Sequence, residues 1–100
     1  MKLSEQYKEK TLHTEDIKFK GETYQVRLLM QDEADSMEGK DLYEQLAFLI
    51  IEDGKSLEEL GCVDSLRSNM PLPHIKALIS EALKANAIDM TFAEKKSDLV

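Results

Sequence analysis

The chain has 100 residues, of which 13 are Lys or Arg and 20 are Asp or Glu, so its formal net charge is −7. Residues 21–53 carry two basic and nine acidic side chains, a net −7, against +1 for residues 1–20 and −1 for residues 54–100. No basic stripe is present to neutralise phosphates, which excludes a typical nucleic-acid binder. The longest apolar run, Leu46 to Ile51, is too short to span a membrane.

One domain is expected from this length. Cys62 is the single cysteine of the sequence, so no internal disulfide can form. The first residues lack the apolar segment of an export signal. These features predict a chain that stays in the cytoplasm.

The first regular pattern is an alternation of apolar and polar residues over 17–30. Its first half carries Ile17 and Phe19, and its turn is expected at Gly21-Glu22. The apolar residues of its second half are Tyr24, Val26, Leu28 and Met30. This alternation predicts a two-stranded antiparallel hairpin with one apolar face. Because an isolated hairpin is marginal in water, we expect that face to pack on the helices that follow.

Two helical segments are predicted next. Residues 31–37 form a short acidic helix, because Asp and Glu favour the positive end of the helix dipole, and Gly39 interrupts it. From Asp41 to Glu52 the apolar residues recur at helical spacing. The Asp53-Gly54 turn signal predicts the end of this second helix.

Two further helices are predicted in the second half of the chain. Residues 56–59 match the S-x-x-E capping box, which predicts a short helix from Ser56. This helix is expected to pause at Gly61 and to resume through Val63 and Leu66, ending before Asn69. The last helix is predicted from Pro73 to Ala85, because Pro suits a first turn and the apolar residues follow helical spacing. Asn86 is expected at the C′ position, where a helix commonly ends with a residue in the left-handed conformation.

These elements predict an α+β fold in which an N-terminal β-hairpin packs on a small bundle of three to four α-helices. The helices at 41–52 and 73–85 are expected to form the core. Residues 1–100 are treated as a single domain. Residues 1–14 are expected to be a flexible arm or frayed helix, and residues 88–100 a flexible or loosely docked tail.

Metal-binding patterns fail at essential positions. Residues 33–44 have part of the spacing of a calcium loop, but Met37 stands at a ligand position and Glu38 stands where the loop needs glycine. His13 and His74 are far apart in sequence and lie in no zinc-ligand pattern. We expect no bound metal.

Catalytic patterns are equally absent from the sequence. No serine lies in a G-x-S-x-G turn, and Cys62 has no basic neighbour in sequence to lower its pKa. The glycines are isolated, so no phosphate-binding loop is predicted. We therefore expect a protein without enzymatic activity and without a cofactor.

Protein binding is the remaining hypothesis. Four methionines stand at the ends of predicted elements, where adaptable side chains suit contact with a partner. The candidate protein-binding residues are Met30, Met37, Met70, Leu72, Met90 and Phe92. The acidic stretch 21–53 either steers a lysine-rich protein surface toward the chain or is a solvated helix face, and the second is the simpler account.

Five segments follow one another in a particular order. They are the extended pair around Gly21, then Gln31–Ala34, Leu49–Gly54, Leu57–Leu60, and Met70–Pro73 leading into Ile75–Ile79. In element order and length, over about residues 15–92, the chain resembles a bacteriophage tail assembly chaperone of the long, non-contractile tail type.

The resemblance implies a protein of the host cytoplasm that binds and solubilises the tape-measure protein and helps recruit tail-tube subunits. The expected partners are therefore these phage proteins, with no nucleic acid and no membrane, and self-association into a homo-oligomer is left open. Two alternatives are kept. One is a structural head-tail or tail subunit of a phage, and the other is a host helical adaptor or regulator that binds one protein partner.

Overall fold

The computed structural model describes residues 2–88, which form the predicted α+β fold. The elements are α1 Leu3–Gln6, β1 Thr14–Phe19, β2 Glu22–Arg27, α2 Gln31–Ser36, α3 Leu42–Leu49, β3 Ile50–Glu52, β4 Lys55–Ser56, α4 Val63–Asn69 and α5 Leu72–Ala85. The four strands make one antiparallel sheet in the order β1-β2-β3-β4.

The predicted hairpin is confirmed, but it spans residues 14–27 instead of 17–30. Lys20 and Gly21 form its two-residue turn with φ of 52° and 81°. Positive φ at both positions is typical of a type I′ turn, whose twist matches that of the two strands. Ile17 therefore lies opposite Tyr24, and both are partly buried on the apolar face of the hairpin.

Leu29 and Met30 leave the sheet because their backbone amides find other acceptors. The Leu29 N–H donates to Asn86 Oδ1 at 2.7 Å. The Met30 N–H donates to Glu33 Oε1 at 2.9 Å, which starts α2 as the predicted acidic helix. The alternating pattern thus continues in sequence for three residues beyond the strand.

The helix predicted over 41–52 is wrong at its C-terminal end. Helix α3 stops at Leu49, and Ile50 begins β3 with no intervening loop. Val26 lies opposite Ile50 and Gln25 opposite Ile51, so β3 becomes the third strand of the sheet. The apolar run 46–51 has no polar interruption that would distinguish helix from strand, although its two β-branched isoleucines favour a strand.

The helix predicted from Ser56 is wrong up to Gly61, whereas its predicted resumption after Gly61 is confirmed as α4. Ser56 belongs to β4, which pairs with β3 across a two-residue turn. Its hydroxyl oxygen accepts the Glu59 N–H at 3.1 Å, as a capping box requires. The Glu59 carboxylate lies 3.8 Å from Arg27 Nη2. Gly61 has a φ of 74°, so the turn does not continue as a helix, and α4 starts at Val63.

Helices α3 and α5 pack against each other and against one face of the sheet, as predicted for the two core helices. The apolar residues at helical spacing in α5 are all buried, namely Ile75, Leu78, Ile79, Ala82 and Leu83. The buried core comprises Val26, Met37, Leu46, Ala47, Leu49, Ile50, Leu57, Ile75, Leu78, Ile79, Ala82 and Leu83.

Helix α5 ends at Ala85, as predicted, but the left-handed C′ residue that follows it is not Asn86. Ala87, with a φ of 57°, takes the left-handed position that was expected for Asn86. The Ala87 N–H donates to Lys84 O and the Ile88 N–H donates to Leu83 O, at 2.9 and 2.8 Å. These two hydrogen bonds form a Schellman motif. The Asn86 side chain instead makes hydrogen bonds to other parts of the fold.

The Asn86 side chain joins the end of α5 to the connection between β2 and α2. Its Oδ1 accepts the Leu29 N–H, and its Nδ2 donates to Arg27 O at 3.0 Å and to Ala82 O at 3.2 Å. All four groups are partly buried. Removal of the amide therefore leaves polar backbone groups without partners in a region with limited access to water.

We expect Asn86→Ala to lower the free energy of unfolding by about 1–3 kcal/mol, because it leaves the Leu29 N–H and the Arg27 carbonyl unpaired. Urea unfolding followed by circular dichroism measures the change. Asn69→Ala is the matched control, since Asn69 is exposed at the end of α4. Equal losses in the two variants would contradict this role of Asn86.

Asp41 caps α3 and joins it to α4. Its Oδ1 accepts the Glu44 N–H at 2.9 Å, and its Oδ2 lies 2.6 Å from Arg67 Nη2. Partial burial raises the pKa of the Asp41 carboxyl, but the Glu44 amide and the Arg67 guanidinium outweigh burial and lower that pKa below 3.8. A carboxyl with a lowered pKa stabilises the fold above its unfolded-state pKa and loses this effect as pH falls through its folded-state pKa.

We therefore expect the free energy of unfolding of the native chain to fall more steeply below about pH 4 than that of Asp41→Asn. Asparagine retains the capping oxygen but does not titrate. The difference should be small, because the Asp41 and Arg67 side chains are both partly exposed. Urea unfolding of both proteins at a series of pH values tests this, and a difference that is constant with pH would contradict it.

Candidate protein-binding surface

Four of the six residues predicted from sequence to contact a partner lie in the described part of the chain, and they occupy three different places in the fold. Met37 is fully buried in the core of the chain, so its assignment to a binding surface is wrong. Met90 and Phe92 lie outside the described residues. Met30 is partly buried between β2 and α2, whereas Met70 and Leu72 lie close together where α4 ends and α5 begins.

Met70 and Leu72 form the corner between the last two helices. The Met70 N–H donates to Leu66 O, and Met70 O accepts the Tyr43 hydroxyl at 3.2 Å. This second bond joins the corner to α3. Leu72, the first residue of α5, is exposed. The corner thus presents one apolar side chain on a well-anchored backbone.

A larger set of exposed apolar side chains lies in residues 2–13, which we call the arm. Helix α1 contributes no buried residue. Leu3, Tyr7 and Leu12 are three of the five large apolar residues exposed in the described part of the chain. The sequence prediction missed them because they are too sparse to define a face, although Leu3 and Tyr7 have the i, i+4 spacing of one helix side.

The arm is attached to the rest of the fold at its C-terminal end. His13 O accepts the Leu28 N–H at 2.8 Å, which extends the β1–β2 pairing by one step. The Tyr7 and His13 rings are 6.1 Å apart. Lys10 Nζ lies 3.9 Å from Asp32 and 3.8 Å from Glu33, at the start of α2. The exposed side chains therefore project from a segment that is held against the acidic helix.

A small cavity of about 90 Å³ lies between the arm and the fold. Leu12 and His13 contribute to its lining from the arm, and Arg27, Met30 and Glu33 from the body of the chain. Met30 thus shares one cavity with Leu12. The structure brings this predicted residue together with the exposed apolar arm.

Arg27 is one of the polar residues that line the cavity, and it has several partners. Its Nε donates to Phe48 O and its Nη1 to Glu33 Oε2, both at 3.0 Å. The guanidinium carbon lies 4.2 Å from the centre of the Phe48 ring. The Arg27 and Glu33 side chains are only 13% and 11% exposed, so this ion pair is poorly screened by water.

Both basic side chains of the acidic stretch are held in ion pairs. Besides Arg27, Lys40 Nζ lies 3.4 Å from Glu58 and 5.8 Å from the centre of the Phe48 ring. Asp32 and Asp35 are exposed on α2. The outer side of this stretch is consequently acidic next to the arm.

Residues 2–88 contain neither a metal-ligand cluster nor a membrane-spanning helix. Within residues 2–88, no group of three or more His, Cys, Asp or Glu side chains is placed to hold a metal ion. None of the helices in that range is long and apolar enough to cross a membrane.

Comparison with known proteins assigns the chain to no family. No family model matches the sequence. No curated protein and no solved structure matches it either. The resemblance to tail assembly chaperones is therefore a prediction that rests on the order and length of the elements.

We expect Arg27→Met to lower the free energy of unfolding by about 2–4 kcal/mol, because Glu33 is then left nearly buried without its cation. A second change, Glu33→Gln, should recover part of this loss, since it removes the unpaired charge. Urea unfolding measures both effects.

Lys40→Met is the matched control for this prediction. Lys40 also pairs with a carboxylate and also lies over the Phe48 ring, but its partner Glu58 is much more exposed than Glu33. We expect a loss of less than about 1 kcal/mol for this variant. Losses of similar size at both positions would contradict the special role of the buried pair.

Proposed function

We propose that the chain is a bacteriophage tail assembly chaperone of the long, non-contractile tail type. In this role it binds and solubilises the tape-measure protein in the host cytoplasm and helps recruit tail-tube subunits, without catalysis and without a cofactor. The observation that supports the proposal most directly is the arm, which holds Leu3, Tyr7 and Leu12 outside the core.

The physical argument starts from the cost of exposed apolar surface. Burial of one large apolar side chain contributes roughly 1.5–3 kcal/mol. A long helical protein with an apolar stripe has the complementary need, because the stripe is insoluble until another surface covers it. The arm offers such a cover. Its Leu3 and Tyr7 lie one helical turn apart, which matches side chains along a partner helix.

The charge distribution supports the same role. Residues 21–53 carry the whole net charge of −7, and the arm lies beside their acidic helix α2. A strongly charged module keeps a complex soluble and attracts partner segments rich in lysine. Acidic surface and exposed apolar side chains therefore occur on neighbouring parts of the fold.

The proposed surface also includes residues predicted from sequence. Met30 belongs to it because it shares a cavity with Leu12. Met70 and Leu72 would form a second contact at the corner between α4 and α5. Met90 and Phe92 stay in the proposed set on sequence grounds alone.

A matched pair of substitutions tests the arm. Leu12 and Leu60 are 43% and 44% exposed, but only Leu12 belongs to the arm. With tape-measure fragments as the probe, we expect Leu12→Ser to weaken binding about tenfold and Leu60→Ser to leave it unchanged. Isothermal titration calorimetry measures the affinities, and urea unfolding verifies that both variants are folded. Equal affinities for the two variants would contradict the proposed surface.

The genome and the particle distinguish the proposal from its alternatives. Under the proposal, the reading frame lies between a tail-tube gene and a very long tape-measure gene. A position among metabolic or regulatory genes would instead favour a host adaptor. Stoichiometric amounts of the chain in purified particles, measured by mass spectrometry, would favour a structural subunit of the virion.

A further inference from the structure

Strand β1 is an edge of the sheet, and its outer side is not paired within the described residues. The Leu28 N–H bonds to His13 O, so His13 and Leu28 are a hydrogen-bonded pair of the β1–β2 ladder. Hydrogen-bonded pairs alternate with non-bonded pairs along an antiparallel ladder. The backbone N–H and C=O groups of Thr14, Asp16 and Lys18 therefore point away from β2, toward the open side.

The side chains of this edge follow a two-sided pattern. Asp16 lies opposite Gln25 and Lys18 opposite Thr23, and all four are exposed on the outer face of the sheet. Ile17 lies opposite Tyr24 on the inner face and is only partly buried. The edge thus carries Asp16 and Lys18 on the outer face, and on the inner face the partly buried Ile17 lies between Phe19 and the exposed Glu15.

We propose that two copies of this chain pair through their β1 edges, antiparallel and about a two-fold axis at Ile17. Asp16 of each copy then lies opposite Lys18 of the second copy, and the two Ile17 side chains meet on the inner face. The two four-stranded sheets become one continuous sheet. This inference goes beyond the proposed function and does not rest on it.

The charge pattern selects this register. Pairing requires that outward-pointing residues of one copy bond to outward-pointing residues of the other. A slip by one pairing step places Asp16 against Asp16 or Lys18 against Lys18, depending on its direction. Opposite charges at facing positions stabilise a sheet and like charges destabilise it. The Ile17-centred register is therefore favoured. Because of the two-fold axis, it contains two Asp16–Lys18 pairs.

The inner face supports the same arrangement. Ile17 and Phe19 lie against the core but keep part of their surface exposed. In the proposed register the two Ile17 residues form a non-hydrogen-bonded pair, in which facing side chains approach most closely. Burial of this remaining apolar surface stabilises the pairing in addition to the backbone hydrogen bonds. Charges on edge strands commonly prevent such pairing, but here both signs are present at the spacing that one register uses.

Charge reversal tests the proposal. Sedimentation equilibrium of the full chain across a dilution series should show a reversible species of twice the chain mass of 11.4 kDa. We expect Asp16→Lys and Lys18→Glu each to raise the dissociation constant about tenfold or more, because both cross-strand pairs become repulsive. The double variant, which restores opposite charges in exchanged positions, should recover the native affinity.

The control is Lys76→Glu, a reversal at an exposed position of α5 that should leave the affinity unchanged. Circular dichroism verifies that every variant is folded. Hydrogen exchange on the native chain gives a second readout without substitution. The amides of Asp16 and Lys18 should become protected as concentration rises, whereas that of Ile17, already bonded to β2, should not change.

A native chain that stays a monomer throughout the series would overturn the proposal. So would a dimer whose affinity is insensitive to both reversals, or a double variant that fails to regain affinity while it remains folded. A second copy bound elsewhere, or the chain's own residues covering the edge, would give the first or second of these results.

Discussion

The arrangement of the N-terminal half depends on the contacts that the Arg27 guanidinium makes. From the end of β2 it donates to the Phe48 carbonyl near the end of α3, lies over the Phe48 ring, and pairs with Glu33 of α2. Glu33 in turn accepts the Met30 N–H that starts α2. One cation thus fixes the sheet, a core helix and a surface helix relative to one another, in a site where water screens little of its attraction.

The same network determines where the acidic surface faces. Glu33 accepts Arg27 on one side and lies near Lys10 of the arm on the other. Because Arg27 and Lys40 are engaged close to the Phe48 ring, neither contributes a free positive charge to the outer face of α2. The arm is consequently held beside carboxylates by a lysine of its own. The contacts of Arg27 and Glu33 therefore determine both the position of the candidate surface and its negative charge.

Local patterns predicted the elements that local forces decide. The acidic helix α2 and helix α5 follow from charge and periodicity, and the hairpin follows from alternation around Gly21. Strand β3 is not predicted from sequence, because a continuous apolar run has neither a helical nor a strand period. Its residues form a strand because they pair with β2, which lies much earlier in the sequence. Ser56 makes its capping bond, yet the turn ends because Glu59 faces Arg27 and Gly61 adopts a positive φ. These outcomes depend on contacts that a local window does not contain.

The candidate surface illustrates the same limit. Met37 was assigned to it for its place at the end of a helix, but the end of α2 turns inward and buries that side chain. Periodicity does not identify Leu3, Tyr7 and Leu12 as a surface, because a core helix needs a denser apolar stripe than they form. A stripe that is too sparse for a core is nonetheless sufficient for contact with a partner. Sequence periodicity predicts apolar surfaces that pack within the same chain. It does not detect apolar surfaces that are covered only by another protein.

The arm and the β1 edge adjoin each other in the chain, since the arm ends at His13 and the strand starts at Thr14. Paired edges would join two arms into one rigid unit. Two linked arms bind a repetitive partner more tightly than separate ones, because the second contact forms at a high effective concentration. A long helical protein with repeated apolar stripes is such a partner. Self-pairing at the edge would therefore strengthen binding by arms that are individually weak.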